Sequence, residues 1–371
     1  MQFSIKRDIL LKALNLLQGV IEKKNTLPIL SNVLIEAKEK KIILTATDLD
    51  LVFYDEIEAT QIKTEGSTTT SATVLFDILR KISPGSEISF ELVNDNKLSL
   101  KADSSDFSLL CLPTDNFPNF SDNFPDNKII LEKNKLLTLL NKVKISISND
   151  DTRHYLNGIF LHLTESQGRQ FLTGVATDSH RLSSSSIEIK EDINFTSLIL
   201  PKKTVYQLCV LLQEADSKIS LQIGESKIQF MFGKTKLISK VIDGKFPDYK
   251  KVVPANNEKI LNVSSKEFID SIERVTTVSI DKKEGVKLVI NKDNVKLSVN
   301  STNSGEGNEV IKANYNADET IISFNSKYLL DIASEVEDKN LKMKLKDSTS
   351  PVLVEDSSDK NSYYVIMPMK I

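Results

Sequence analysis

Asp178, Ser179 and His180 put a carboxylate, a hydroxyl and an imidazole within three residues, the groups from which a hydrolytic nucleophile is built. Read as part of a strand, this segment sends Asp178 and His180 to one face and Ser179 to the other. A triad needs its nucleophile hydrogen-bonded to its base. The 371 residues contain neither a nucleophile elbow nor a glycine-rich phosphate loop. No catalytic residue is assigned, and no cofactor is expected. Cys111 and Cys209 are the only cysteines and lack metal-ligand spacing, which argues against a metal centre or a disulfide framework and fits a reducing, cytoplasmic compartment. The first ten residues carry Lys6, Arg7 and Asp8 and have no signal-peptide apolar run. No apolar stretch reaches the roughly 20 residues that span a membrane.

The elements that would position any site recur three times. Each third opens with an apolar strand running into a helix with apolar residues at i, i+4 and i+7: Leu10, Leu14 and Leu17, then Leu136, Leu140 and Val143, then Phe268, Ile272 and Val275. A second helix follows in each, burying Leu75 and Phe76, Val205 and Tyr206, and Leu329 and Leu330. Corresponding positions lie roughly 125 to 130 residues apart, about one domain. Between the helices, residues alternate with period two, as at Ile42, Leu44 and Ala46, at Ile228, Phe230 and Phe232, and at Val286, Leu288 and Ile290. Short polar turns such as Asn94-Asp95-Asn96, Gly224-Glu225-Ser226 and Lys292-Asp293-Asn294 join them, which predicts antiparallel sheets.

The fold class expected is therefore α+β, in three tandem domains of two helices and antiparallel sheets. Connectors at 123–127 and 254–257 place the domains at 1–125, 128–253 and 257–371. Ser264 and Glu267 predict a capping box at the first helix of the third domain, and the polar stretch 301–308 predicts a loop.

Lys+Arg 48 against Asp+Glu 51 gives a net charge of -3, so bulk charge does not advertise a polyanionic partner. Its placement is uneven. Lys6, Arg7, Lys12, Arg80 and Lys81 mark the first pair of helices, and Lys133, Lys135, Lys142, Lys144, Lys202 and Lys203 the second. Glu267, Asp270, Glu273, Glu335, Glu337 and Asp338 crowd the third. If the basic faces line one hole, their summed field favours a polyanion without base-specific contacts.

Several motifs, in this order and at these spacings, resemble the bacterial DNA polymerase III β subunit, or sliding-clamp, family over essentially the whole length. They are Thr26-Leu27-Pro28-Ile29-Leu30, Ala46-Thr47-Asp48-Leu49, Tyr155-Leu156-Asn157-Gly158, Ala176-Thr177-Asp178-Ser179-His180-Arg181-Leu182, Asp243-Gly244-Lys245-Phe246-Pro247-Asp248-Tyr249 and Val365-Ile366-Met367-Pro368-Met369-Lys370-Ile371. The resemblance implies a non-catalytic accessory subunit of the DNA polymerase III holoenzyme. It implies a head-to-tail homodimer forming a six-domain ring, helices lining the hole, that encircles duplex DNA irrespective of sequence. Its implied partners are the replicative polymerase α subunit, the clamp loader, and other polymerases and repair proteins carrying clamp-binding peptides, with no membrane.

By family position, the peptide groove implied comprises Leu156, Thr177, His180, Arg181, Leu182, Pro247, Val252, Asn325, Tyr328, Val365, Met367, Pro368 and Met369, with Arg181 and Asn325 fixing the peptide backbone at the rim. Thioether and aliphatic side chains suit a receptor for varied apolar anchors. Pro368 speaks against a central strand at the C-terminal Met-Pro-Met. The implied DNA-facing residues are Lys24, Arg153, His154 and Tyr155, with Arg80 and Lys202 as diffuse support. The implied ring contact joins Phe107 and Leu109 of one chain to Thr277 and Val278 of the other. Relatives usually have Gly where this chain has Ser179. The competing class is a repeat scaffold that binds protein partners only.

Overall fold

The computed structural model describes residues 1–22, 27–120, 123–190, 193–216, 218–279, 285–302 and 304–370. Two compact units emerge, Met1–Leu137 with Lys203–Val241, and Thr138–Lys202 with Ile242–Ile371. Six α-helices lie among the described residues: α1 Arg7–Leu17, α2 Ala72–Lys81, α3 Lys133–Lys144, α4 Lys202–Glu214, α5 Ser265–Val275 and α6 Ser326–Ser334. None is long and apolar enough to cross a membrane.

Each repeat begins as its pattern dictates. In Gln2–Lys6, Phe3 and Ile5 point inward, and α1 follows at once, burying Leu10, Leu14 and Leu17. Leu136, Leu140 and Val143 are buried on α3, and Phe268, Ile272 and Val275 on α5. Polar caps fix the starts of three helices. Ser71 accepts from the Val74 amide, Ser264 from Glu267 and Asn325 from Tyr328, each satisfying a donor the helix leaves orphaned. The second-helix pattern holds at Leu75, Val205 and Leu329 but fails at Tyr206, which is exposed. A one-residue error in helix phase, about 100°, turns a side chain from the core toward water.

The first unit forms one continuous sheet of 13 strands and the second one of 12, all pairings antiparallel. Continuity across domains comes from one recurrent device. The last strand of the second domain, Thr235–Lys240, pairs with the fourth strand of the first, Leu51–Glu58, setting Leu237 opposite Phe53. In the other unit, Ser362–Ile366 pairs with Arg181–Ile189, setting Tyr364 opposite Ser183. Just beyond each pair the same bond recurs: the Lys240 amide donates to the Asp50 carbonyl, and the Met367 amide to that of His180.

Within 301–308, expected as a loop, Ser301 and residues 305–308 are strand. Asn294–Ser301 and Gly305–Tyr315 form a tight hairpin with Ser301 opposite Gly305 and Val299 opposite Gly307. The composition misled because Gly307 answers to packing: a Cβ there would lie 2.7 Å from the Val275 carbonyl.

Candidate functional site

Asp178, Ser179 and His180 occupy not a strand but the tight turn between Arg169–Thr177 and Arg181–Ile189. Asp178 Oδ1 accepts from the amides of His180 and Arg181, both at 3.0 Å, and Thr177 Oγ1 accepts from the Ser179 amide. Such side-chain bonds offer the backbone an alternative to the ladder and stop the strand. Ser179 pays with φ of 77°, a conformation glycine adopts without penalty. Its Oγ accepts from Arg153 Nη1 at 2.6 Å, while the His180 ring stacks near Tyr328. A guanidinium in place of an imidazole at the hydroxyl is not a nucleophile's arrangement.

Next to this turn lies an apolar cluster. Leu156, Val175, Leu182, Ile199, Phe246, Tyr249 and Val365 are buried together, with Tyr155, Ile242, Val253 and Tyr363 packed against them. Phe246 stacks on Phe160 with centroids 4.9 Å apart. His162 Nε2 lies 3.0 Å from the Tyr249 hydroxyl, and burial pushes the imidazole down to about 4, so it is neutral at physiological pH. Gly158 is required here, since a Cβ would collide with the Leu200 carbonyl. The strand Ser362–Ile366 stops before Pro368, and residues 367–370 run on without regular structure. Two amides hold them: Met367 donates to the His180 carbonyl at 2.8 Å and Met369 to that of Ser323 at 2.7 Å. Val252 and Met369 are exposed apolar side chains, Pro247 is exposed, and Thr177, Met367 and Pro368 are half-buried.

Two of the groove residues expected at the rim are also engaged within the chain. Arg181 is buried, its guanidinium bound to Asp178 at 3.2 Å and Asp331 at 2.6 Å and lying 4.2 Å from the Tyr328 ring centroid. Asn325 spends its side-chain oxygen on the α6 cap. Arg181 thereby ties the turn to α6, and Asn325 caps that helix. The missed partner was Asp331, 150 positions from Arg181; no local motif joins the two.

Four of the residues expected to face DNA are grouped. Arg153, His154 and Tyr155 lie in the short 3-10 segment Asp151–Leu156, and Lys202 opens α4, its amide bound to the Asn157 carbonyl and its ammonium to Asn149 Oδ1. His154 is exposed and packs edge-on to Tyr155. Arg153 is held by Asp150 at 2.9 Å, whose carboxyl sits below its usual range through bonds from Thr152 and Arg153. Arg80 belongs to the other unit, exposed at the end of α2. Lys24, with neighbouring Asn25, lies outside the described residues.

The segregation of positive charge is weaker than the residue count implied. Arg7 pairs with Asp8, Lys12 with Glu214, Lys135 with Glu132 and Lys203 with Asp48, while Lys142 is buried among carboxylates. Paired charges contribute dipoles rather than net field.

At the expected ring contact, Thr277 is exposed and Val278 half-buried in the segment Thr276–Val278, and Phe107 is half-buried. Leu109 is 6% exposed and faces its own core, while its neighbour Leu110 is 85% exposed. Period-two alternation in Ser105–Leu112 carries both facts, with Leu109 and Cys111 inward and Leu110 outward.

Comparison with known proteins agrees with this architecture. The DNA polymerase III beta subunit N-terminal domain matches residues 1–121, its central domain 130–248 and its C-terminal domain 250–370. The beta sliding clamp of Caulobacter vibrioides is 36% identical over 373 residues and that of Escherichia coli K12 33% over 371, each covering 100% of both chains. The sliding clamp from Bartonella birtlesii bound to griselimycin superposes with a TM-score of 0.96 at 36% identity, covering 100% of both chains. This chain belongs to the bacterial DNA polymerase III β-subunit family, the β sliding clamps, and is built of three tandem clamp domains. The family's role is that of a non-catalytic processivity factor in DNA replication, with DNA and polymerase as its partners.

Proposed function

We propose that two copies of this chain close head to tail into a cytoplasmic ring of six domains, bounded within each chain at 1–125, 128–253 and 257–371. The ring encircles duplex DNA and offers the apolar cluster beside residues 367–370 to peptides. One observation carries the closure. Both junctions inside the chain join the fourth strand of one domain to the last strand of the next. By the same rule, the fourth strand of the third domain, Gly305–Tyr315, and the last strand of the first, Ser105–Leu112, each lack that partner among the described residues. A heterologous contact between them repeats an existing junction, and a rotation that closes gives a ring. Pairing also removes two exposed strand edges. Ile238 and Val365, on the outward face of the two paired last strands, are buried at the internal junctions. Leu110 lies on the same outward face of Ser105–Leu112, two residues beyond the counterpart of Ile238, which supports its burial against the third domain of the second copy beside Phe107, Thr277 and Val278.

Lateral sliding needs each DNA contact to be weak, and the paired cations of the helices suit that need. Arg153, His154, Tyr155 and Lys202, with Lys24 and Arg80, supply diffuse contacts to phosphates, giving few released counterions and a shallow salt dependence. Once the ring is shut, topology supplies the residence time.

The groove takes peptides from the polymerase α subunit, the clamp loader, and other polymerases and repair proteins. Leu156, Leu182, Val365 and Tyr328 form its floor. Met367 and Met369 deform around different anchors. Thr177, His180, Pro247, Val252 and Pro368 border it, and Arg181 and Asn325 hold Tyr328 in place. Deletion of residues 367–371 tests the placement: polymerase stimulation should be lost while the dimer persists. Normal stimulation by the truncated dimer would remove the groove from this position. Retention of the full chain on protein partners but never on circular DNA would favour a protein-only scaffold instead.

A further inference from the structure

The two junctions inside the chain share backbone register but differ in charge. Thr235 and Ser362 occupy equivalent places, one residue before Lys236 and Tyr363, which pair with Tyr54 and Ser184. Thr235 Oγ1 donates to Asp55 Oδ1 at 2.7 Å, whereas Ser362 Oγ lies 2.9 Å from Ser185 Oγ and gives its own proton to Asp359 Oδ2 at 2.6 Å. Asp55 thus stands where the second junction has a neutral serine. On the helix facing each pair, Leu16 of α1 corresponds to Lys142 of α3. The second junction fills the resulting space with the Lys142 ammonium, 2.9 Å from Asp359, 3.4 Å from Glu337 and 3.6 Å from Asp356.

The first junction leaves that space open. A cavity of about 280 Å³ is lined on its apolar side by Ile9, Ala13, Leu16, Ile57, Leu211 and Phe232, with Asp55 and Thr235 of the junction on its wall and Glu214 and Asp216 at its charged rim. Asp55 is only 6% exposed, and among the described residues no lysine or arginine forms an ion pair with it. Lys12, also on the wall, is paired to Glu214 at 2.9 Å. Burial raises the Asp55 carboxyl despite the bonds from Thr235 and the Glu56 amide. The charge of Lys12 offsets part of this burial without pairing to Asp55, and an ammonium that enters to meet the carboxylate directly removes more of the cost.

We propose that this cavity binds a free aliphatic amine, its ammonium meeting Asp55 and its methylenes lying against Ile9, Leu16 and Phe232. The apolar lining selects a hydrocarbon chain, and the carboxylate selects a positively charged end over an alcohol.

The test is titration of the intact dimer with butylammonium, followed by methyl NMR of Ile9, Leu16, Ile57 and Leu211. Saturable shifts at these four residues are expected, with affinity at least tenfold weaker for 1-butanol and for Asp55→Asn. Because Asn could disturb Thr235, Asp55→Ser restores the hydroxyl pair of the second junction and should lose binding equally. Equal affinity for amine and alcohol, or unchanged binding in both variants, would overturn the site. Binding that appears only in Lys12→Met would make Lys12 the occupant and overturn it too. Gly-Lys-Gly stands in for a partner's lysine: tighter binding than butylammonium would overturn the assignment to a free amine.

Discussion

Replacing Lys142 with methionine keeps the unbranched stem as far as Cε and removes the ammonium, and with it one charge, from the interior. The ammonium side chain is 3% exposed and faces three carboxylates. Glu337 is 67% exposed and Asp359 25%, so water screens much of what they lose. Asp356 has no exposed side-chain surface and carries most of the penalty, although the Ser358 hydroxyl and amide and the Glu337 amide still bind it. Removing one partner of a buried pair costs about 3–5 kcal/mol, and these surviving bonds place Lys142→Met near 3. In a cooperative unit of roughly 200 residues, each kcal/mol shifts Tm by about 2–4 °C, so calorimetry at pH 7 should find a loss of about 6–12 °C.

The pH dependence provides an internal check. Burial pushes Asp356 and Asp359 up, but bonds from Ser358 and Ser362 and the charge of Lys142 outweigh it, so both carboxyls sit below 3.8 when folded. Groups depressed on folding contribute stability above their unfolded value and lose it as pH falls through the folded one. Burial lowers Lys142 and Asp359 raises it more, so its contribution persists below 10.5 and fades as pH rises beyond. The gap between wild type and Lys142→Met should be flat near neutrality and shrink below pH 3.8. A Tm loss under about 2 °C at pH 7, or a gap that widens in acid, would refute this electrostatic account of the junction.

Other changes probe the surface features. Leu110→Asp should yield a monomer of 41.6 kDa by sedimentation with little loss of protomer stability, because that side chain is 85% exposed; a persistent dimer would refute its place in the contact. Ser179→Ala removes the hydroxyl that accepts from Arg153, yet polymerase stimulation should stay unchanged, and a collapse in activity would reopen the catalytic reading. Ser179→Gly should stabilise the chain by about 1 kcal/mol in urea titration, since φ of 77° favours glycine.

The sequence made the repeat legible because buried positions recur with helix and strand periods. Leu10, Leu14 and Leu17 and their counterparts needed no partner information to be placed in the core. Turn chemistry was legible only where glycine and asparagine dominate. The Asp178 turn was read as strand because its strand-stopping bonds are from side chain to backbone. Hidden altogether were pairings over long separations. Arg181 with Asp331 and Lys142 with Asp359 are local cations until the fold brings carboxylates to them, and a charge count read them as rim or lumen. Leu109 and Leu110 show the limit for a strand edge: family position points to the segment, but alternation decides which side chain is available.

Loading onto a nicked circular plasmid, followed by gel filtration before and after linearisation, tests the ring most directly. A closed clamp should be retained on the circle at salt that dissociates ordinary phosphate contacts and be lost within minutes once free ends exist. Equal retention on circular and linear DNA, or release from the circle by moderate salt alone, would mean that affinity and not topology holds the protein there.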